Sequence, residues 1–307
     1  MIGIPEAFAR STALREGESG AVWIGELPKI LDELLARWEC VPDGEVVHGG
    51  VGVIVPVRRR DGSAAVVKVS FPHPGNVHEP DAFAAWGGRG AVMLYERDDA
   101  CFAMLLERAG TATLAEAADG DEVLTVAGRI SRRLTVPAPP GLPRLRDRAG
   151  LWEARLRGDA EELTHALSRR TLDAAVATVR ELGRDQPDVL VHGDLHAGNI
   201  LRAEREPWLA VDPKGYVGDP AYDGGALFKS RAPALIAATD VRRAVHRTLD
   251  VFAEAAELDR ERVRRWAQFH AVQAVFWGRR HGFLAARDGA RLDRFTEFAD
   301  YVAELLV

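Results

Sequence analysis

The chain has 307 residues, 47% of them hydrophobic and 28% charged, which is enough to bury one large core or two modest ones and excludes a disordered composition. A net charge of −6 argues against a nucleic-acid binder, and two cysteines, Cys40 and Cys101, with no CxxC pair argue against a disulfide scaffold or a structural zinc site. With no secretory leader and no apolar run of spanning length to be read, a cytoplasmic protein without a membrane partner is expected, and monomer and dimer both stay open.

Leu27, Ile30, Leu31, Leu34, Leu35 and Trp38 recur at helical spacing and predict a helix over 27–38 with Pro28 in its first turn. A valine-rich stretch over 46–57, interrupted by Gly49, Gly50 and Gly52, precedes the turn signal Asp61-Gly62 and a return strand over 64–69 that carries Lys68. A short helix over 80–86 and a buried strand over 101–107 follow. After Arg108-Ala109-Gly110 strand signals fade, which divides the chain into a front part, 1–107, and a back part, 108–307. Pro137, Pro139, Pro140 and Pro143 mark a loop. Leu163, Leu167, Leu172, Val176, Val179 and Leu182 predict one amphipathic helix over 161–182, and three more helices are expected over 241–256, 261–284 and 291–306. The expected class is α+β, with an antiparallel sheet in front and a mostly helical remainder.

The densest chemistry lies between. An apolar strand, Val189-Leu190-Val191, delivers His192-Gly193-Asp194-Leu195-His196-Ala197-Gly198-Asn199, and a later strand, Trp208-Leu209-Ala210-Val211, delivers Asp212. Phosphoryl transfer needs a carboxylate to take the hydroxyl proton, hard oxygen ligands for Mg²⁺ and positive charge at the triphosphate. Asp194 suits the first role, and Asn199 and Asp212 suit the second. Asp-x4-Asn with a further strand-end Asp has the arrangement of a kinase catalytic loop and its metal-binding residue. A competing reading takes His192, Asp194 and His196 as transition-metal ligands of a hydrolase, but leaves Asn199, Asp212 and Lys68 without a task.

His192-Gly193-Asp194-x4-Asn199 resembles the catalytic loop of aminoglycoside phosphotransferases. Asp212-Pro213-Lys214, Gly218-Asp219-Pro220, the opening blocks Ile4-Pro5-Glu6-Ala7 and Arg37-Trp38-Glu39, and Leu105-Leu106-Glu107-Arg108 are similar to the streptomycin 6-kinase and hydroxyurea phosphotransferase subgroup. The resemblance implies a two-lobed protein-kinase-like fold and a nucleotide clamp in residues 1–107. It implies a catalytic loop and acceptor site in residues 108–307, with ATP or GTP and Mg²⁺ as cofactors. Asp194 is then the base, His192 braces the loop, and Asn199 and Asp212 hold the metal. The acceptor is expected to be a small molecule, a cationic antibiotic such as streptomycin, with hydroxyurea or a small metabolite as the alternative.

Within the front part Lys68 is the expected phosphate-binding lysine and Glu79 its helix partner, with Asp81 as second choice. Gly49, Gly50 and Gly52 stand where a phosphate-covering loop would lie, although a strand bulge accounts for them equally well. Glu107 to Ala109 is the expected adenine-binding hinge. Asp219 and Asp223 are candidate substrate carboxylates, and by resemblance Gln273 and Trp277 form a wall of the acceptor site. Gly278-Arg279-Arg280-His281 departs from that pattern, because a basic turn does not suit a doubly guanidinylated acceptor.

Overall fold

The computed structural model describes residues 2–117, 120–163, 167–282 and 289–307. The chain divides into two compact units, Met1–Gly110 with Ala203–Lys214, and Thr111–Arg202 with Gly215–Val307. The segment leading to Asp212 therefore groups with the front of the chain.

The first unit opens on α1 (Glu6–Arg37), two helical stretches divided at Gly17, whose φ of 65° and ψ of −140° no helix accommodates. This helix begins well before residue 27, so Pro28 lies inside it rather than in a first turn. Six strands follow: β1 (Val41–Pro42), β2 (Val47–His48), β3 (Gly52–Arg58), β4 (Ala64–Ser70), β5 (Leu94–Asp98) and β6 (Ala103–Glu107). They form one antiparallel sheet in the order β1-β3-β4-β6-β5, with β2 pairing on β3. The β3–β4 turn forms as its Asp-Gly pair predicts: Gly62 has a φ of 81°, and the Asp61 carboxylate accepts the Ser63 amide at 2.9 Å.

Strand alternation places Val53, Val55 and Val57 of β3 and Val67 and Val69 of β4 in one core with Phe8, Leu27, Leu31 and Leu34 of α1. Lys68 consequently points to the opposite face. There α2 (Glu79–Trp86) follows β4, stopped by left-handed Gly87. The strand Trp208–Ala210 joins this unit through the Ala210 amide to the Gly90 carbonyl, 2.9 Å, and the Val92 amide to the Ala210 carbonyl, 3.1 Å.

The second unit is mainly helical: α3 (Leu114–Ala117), α4 (Gly120–Leu134), α5 (Ala149–Glu162), α6 (Arg169–Glu181), α7 (Ala221–Ser230), α8 (Ala232–Ile236), α9 (Val241–Ala256), α10 (Arg260–His281) and α11 (Gly289–Leu305). The single helix expected over 161–182 is two helices. Ser168 is extended and its hydroxyl caps the Thr171 amide at 3.2 Å, starting α6 afresh; Leu163 and Leu167 fall outside both helices. Residues 283 and 284, the expected end of the next-to-last helix, lie outside the described residues.

Asp240 and Asp259 cap α9 and α10 in the same way as Ser168. Helix α10 runs through the middle of this unit, burying Val263, Trp266, Phe269, Val272 and Phe276 against α6, α7 and α11. A short three-stranded antiparallel ribbon, Tyr216–Val217, Val189–Val191 and Val136–Pro137, positions the loop that follows residue 191. Among the described residues no helix is long and apolar enough to cross a membrane.

Candidate active site

In the first unit a buried charge cluster stands under the sheet. The Lys68 ammonium, 11% exposed, contacts the Glu79 carboxylate at 2.5 Å and Asp212 Oδ1 at 2.9 Å. Lys214 reaches the other oxygen, Asp212 Oδ2, at 3.2 Å. Burial disfavours the charged form of Lys68, but the Glu79 and Asp212 carboxylates outweigh it and hold the ammonium charged. Burial likewise favours a neutral Asp212, yet the Lys68 and Lys214 ammonium groups keep its carboxyl well below the usual range. Asp212 has a φ of 58°, a left-handed conformation that Asp tolerates better than most residues and that aims its side chain back at the lysines. Of the two acids considered as partners for Lys68, Glu79 makes the contact. Asp81 pairs instead with Arg97 at 2.8 Å and His78 at 3.0 Å.

The glycines divide by role. The Gly49 amide donates to the Gly52 carbonyl at 2.9 Å and closes a tight turn between β2 and β3. A Cβ on Gly49 or Gly50 would meet nothing, whereas one on Gly52 would lie 2.6 Å from Ser70 Oγ and 2.7 Å from the Val69 carbonyl. Gly52 is thus required by the β3–β4 pairing itself. Glu107 closes β6, and its side chain accepts the Met93 amide at 3.0 Å and Arg205 at 2.9 Å. Ala109 is half-buried two residues farther on.

In the second unit His192, Gly193 and Asp194 leave the ribbon as a loop whose backbone is held from below. Asp223, near the start of α7, accepts the His192 amide at 3.0 Å on one oxygen and the Gly193 amide at 2.8 Å on the other. Burial pushes the Asp223 carboxyl up to about 7 against those donating amides. His192 is fully buried and its Nδ1 accepts the Asp194 amide at 3.3 Å. The Asn199 amide nitrogen donates to the Asp194 carbonyl at 3.1 Å, tying the two ends of the loop together. His196 Nδ1 accepts the Gly198 amide at 3.1 Å.

Asp194 stands in the wall of a pocket of about 710 Å³ built between α5, α7, α10 and α11. Trp152, Leu156, Phe276 and Trp277 give it an aromatic and aliphatic lining, and Gln273, His196, Arg155, Lys229 and Asp159 supply polar groups.

A family model described as aminoglycoside/hydroxyurea antibiotic resistance kinase matches residues 37–282. The chain belongs to this family. It is 38% identical over 287 residues to a streptomycin 6-kinase of Streptomyces glaucescens, covering 93% of this chain and 94% of that protein. It is 34% identical over 289 residues to a hydroxyurea phosphotransferase of Kitasatospora aureofaciens, covering 93% and 83%. A macrolide 2'-phosphotransferase structure from Brachybacterium faecium shares the fold at a TM-score of 0.56 and 16% identity, covering 91% of this chain and 97% of that one. The protein is thus an α+β phosphotransferase of kinase-like fold, as its catalytic-loop motif implies.

Several expectations for this kinase need correction. Asp219 is not on offer to a substrate: it is 2% exposed, one oxygen caps the Ala221 amide, and the other takes Arg262 Nε at 2.5 Å and Trp266 Nε1 at 2.6 Å. Asp223 is equally buried and accepts the His192 and Gly193 amides instead. The carboxylate that lines the pocket beside Asp194 is Asp159, which sequence reading missed because no motif surrounds it. The basic turn is neutralised: Arg279 forms a paired bond to Asp300 at 2.9 and 2.7 Å, while Arg280 contacts Asp159 at 2.8 Å and Glu162 at 2.5 Å. Gln273 and Trp277 both line the pocket. Membership of this kinase family displaces the hydrolase reading. Both His192 and His196 spend a ring nitrogen on backbone amides, and among the described residues no group of three His, Cys, Asp or Glu is placed to hold a metal ion.

Proposed function

We propose that this kinase transfers the γ-phosphoryl group of ATP or GTP to a hydroxyl of a small-molecule antibiotic, with an aminoglycoside of the streptomycin type as the first acceptor to test. The observation that carries this reading is the placement of Asp194 in the wall of the pocket, on a loop pinned by Asp223. In the reaction the acceptor oxygen bonds to the γ-phosphorus, the bond to the β,γ-bridging oxygen breaks, and the nucleoside diphosphate leaves. Asp194 takes the hydroxyl proton and orients the attacking oxygen. Lys68, held by Glu79, supplies charge for the phosphates, and the turn closed by Gly49 lies on the glycine-rich approach to them. Glu107 to Ala109 is the proposed adenine hinge. Its adenine contacts come from the backbone, because the Glu107 carboxylate already accepts from the Met93 amide and Arg205.

The ionised Asp212 carboxylate and the Asn199 amide oxygen are hard donors of the kind Mg²⁺ takes. When bound, Mg²⁺ would spread the charge of the phosphate oxygens. Dependence on a nucleoside triphosphate supports a cytoplasmic location.

A second acceptor class is favoured by the pocket's charge. Among the described residues its acid other than Asp194, Asp159, is already paired with Arg280, and Arg155 and Lys229 also line the space. This suits hydroxyurea or another weakly charged alcohol or hydroxylamine. A screen of nucleoside diphosphate release across streptomycin, other aminoglycosides, hydroxyurea and amino alcohols separates the two. The proposal expects Mg²⁺-dependent release stimulated by at least one of these compounds, and no stimulation by any of them contradicts it.

A further inference from the structure

Lys214 holds the Asp212 carboxylate ionised, and it is also the second cation of the Lys68 cluster. Its ammonium lies 3.2 Å from Asp212 Oδ2, the oxygen that Lys68 leaves unused. Its stem passes the turn at Gly75, where an added Cβ would come 3.7 Å from Lys214 Cδ. Pro213, between Asp212 and Lys214, restricts the backbone that carries the ammonium.

The charges in this cluster define a task. Lys68 and Lys214 balance Glu79 and Asp212, and Lys68 is committed to Glu79 at 2.5 Å with its side chain 11% exposed. Lys214 is the more accessible cation, 25% exposed. Without it the cluster would carry one net negative charge, the wrong sign for receiving a triphosphate. This single ammonium therefore decides whether the cluster meets the triphosphate as a neutral or as a negative group.

We infer that Lys214 is a second phosphate-binding cation, directed at the terminal phosphoryl group. It rests on Asp212 Oδ2 until the nucleotide arrives, then transfers its contact to the γ-phosphate oxygens. Lys68 anchors the inner phosphates and Lys214 neutralises the charge that grows on the outer one, the task an arginine finger performs in other phosphoryl-transfer enzymes. This inference rests on the phosphotransferase reading above.

The test measures equilibrium binding of MgATP, MgADP and AMP, together with steady-state kinetics, for wild type, Lys214→Met and Lys214→Arg. Lys214→Met is expected to weaken MgATP binding about 10- to 100-fold, the worth of one charge-assisted contact, with MgADP and AMP affinities unchanged. It is also expected to lower kcat by about 100-fold or more, and Lys214→Arg should recover a large part of both losses. Equal weakening for AMP and MgATP would show that Lys214 merely balances Asp212, and would overturn the inference. So would wild-type MgATP affinity and kcat in Lys214→Met. Failure of the wild-type protein to bind any nucleotide would overturn the phosphotransferase reading as well, so the two failures are distinguishable.

Discussion

Asp223 serves the loop rather than the substrate. Its two oxygens accept the amides of His192 and Gly193, so the backbone just ahead of Asp194 is fixed by a side chain 30 positions later in the sequence. In Asp223→Asn an amide nitrogen replaces one acceptor and faces an N–H donor. This should cost about 1–3 kcal/mol of stability and about 100-fold in kcat through loop misplacement. Nucleotide affinity should stay unchanged, and denaturant unfolding with steady-state kinetics checks all three.

His270 gives a pH signature. Burial, aided by Lys229, holds its imidazole well below the usual value of 6.5, and its ring packs against Tyr222 at 4.5 Å. The folded protein therefore refuses a proton that the unfolded chain accepts as pH falls through about 6.5. More protons bind to the unfolded state there, so this residue's contribution to stability is present at neutral pH and lost on acidification. Thermal unfolding should show a smaller loss of Tm between pH 7.5 and pH 5 in His270→Phe than in wild type. An identical loss in both would contradict it.

At the scale of elements, close approach explains why helix α7 carries two glycines. A Cβ on Gly225 would lie 2.0 Å from His270 Cδ2, and one on Gly224 would lie 2.9 Å from Phe252 Cε1. Gly128 of α4 is similar, with Ala255 Cβ at 2.7 Å and the Phe252 carbonyl at 2.8 Å. Gly225→Ala and Gly128→Ala should each destabilise the fold by about 1–3 kcal/mol, read by chemical denaturation. Gly49→Ala, whose Cβ meets open space, serves as a control with little effect on stability.

Elements with strong local signals were legible in sequence. The alternation Val66-Val67-Lys68-Val69 reported both β4 and the face of Lys68, and Asp61-Gly62 reported the turn. Strand β5, Leu94–Asp98, escaped because its pattern is polar and it pairs only through β6. The front half of α1 escaped because its apolar positions are sparse before Trp23 and Gly17 interrupts it. The helix pair α5 and α6 was fused because Ser168 reads as an ordinary polar residue until its hydroxyl is seen capping Thr171.

At the scale of the whole molecule, the proposed catalytic loop stood out because phosphoryl transfer demands oxygen-bearing residues at fixed strand ends, and Asp194, Asn199 and Asp212 stand near such ends. The acceptor side was not. Asp219 and Asp223 follow the motif closely in sequence, but their burial is decided by Trp266, Arg262 and the loop amides, partners scattered over the chain. Asp159 and its partner Arg280 lie 121 positions apart and leave no local trace. Family membership extends over 37–282 and agrees with the loop, while the charge of the pocket is set by residues brought together from distant parts of the chain.

The central claim is transfer of a phosphoryl group to an acceptor hydroxyl with Asp194 as the base. It is tested most directly by following the acceptor itself by phosphorus NMR during incubation with MgATP, for wild type and Asp194→Asn. A phosphate ester should form on the acceptor with wild type and slow by about 100- to 10,000-fold in the variant, with folding and nucleotide affinity unchanged. Ester formation at the wild-type rate in Asp194→Asn would contradict the account.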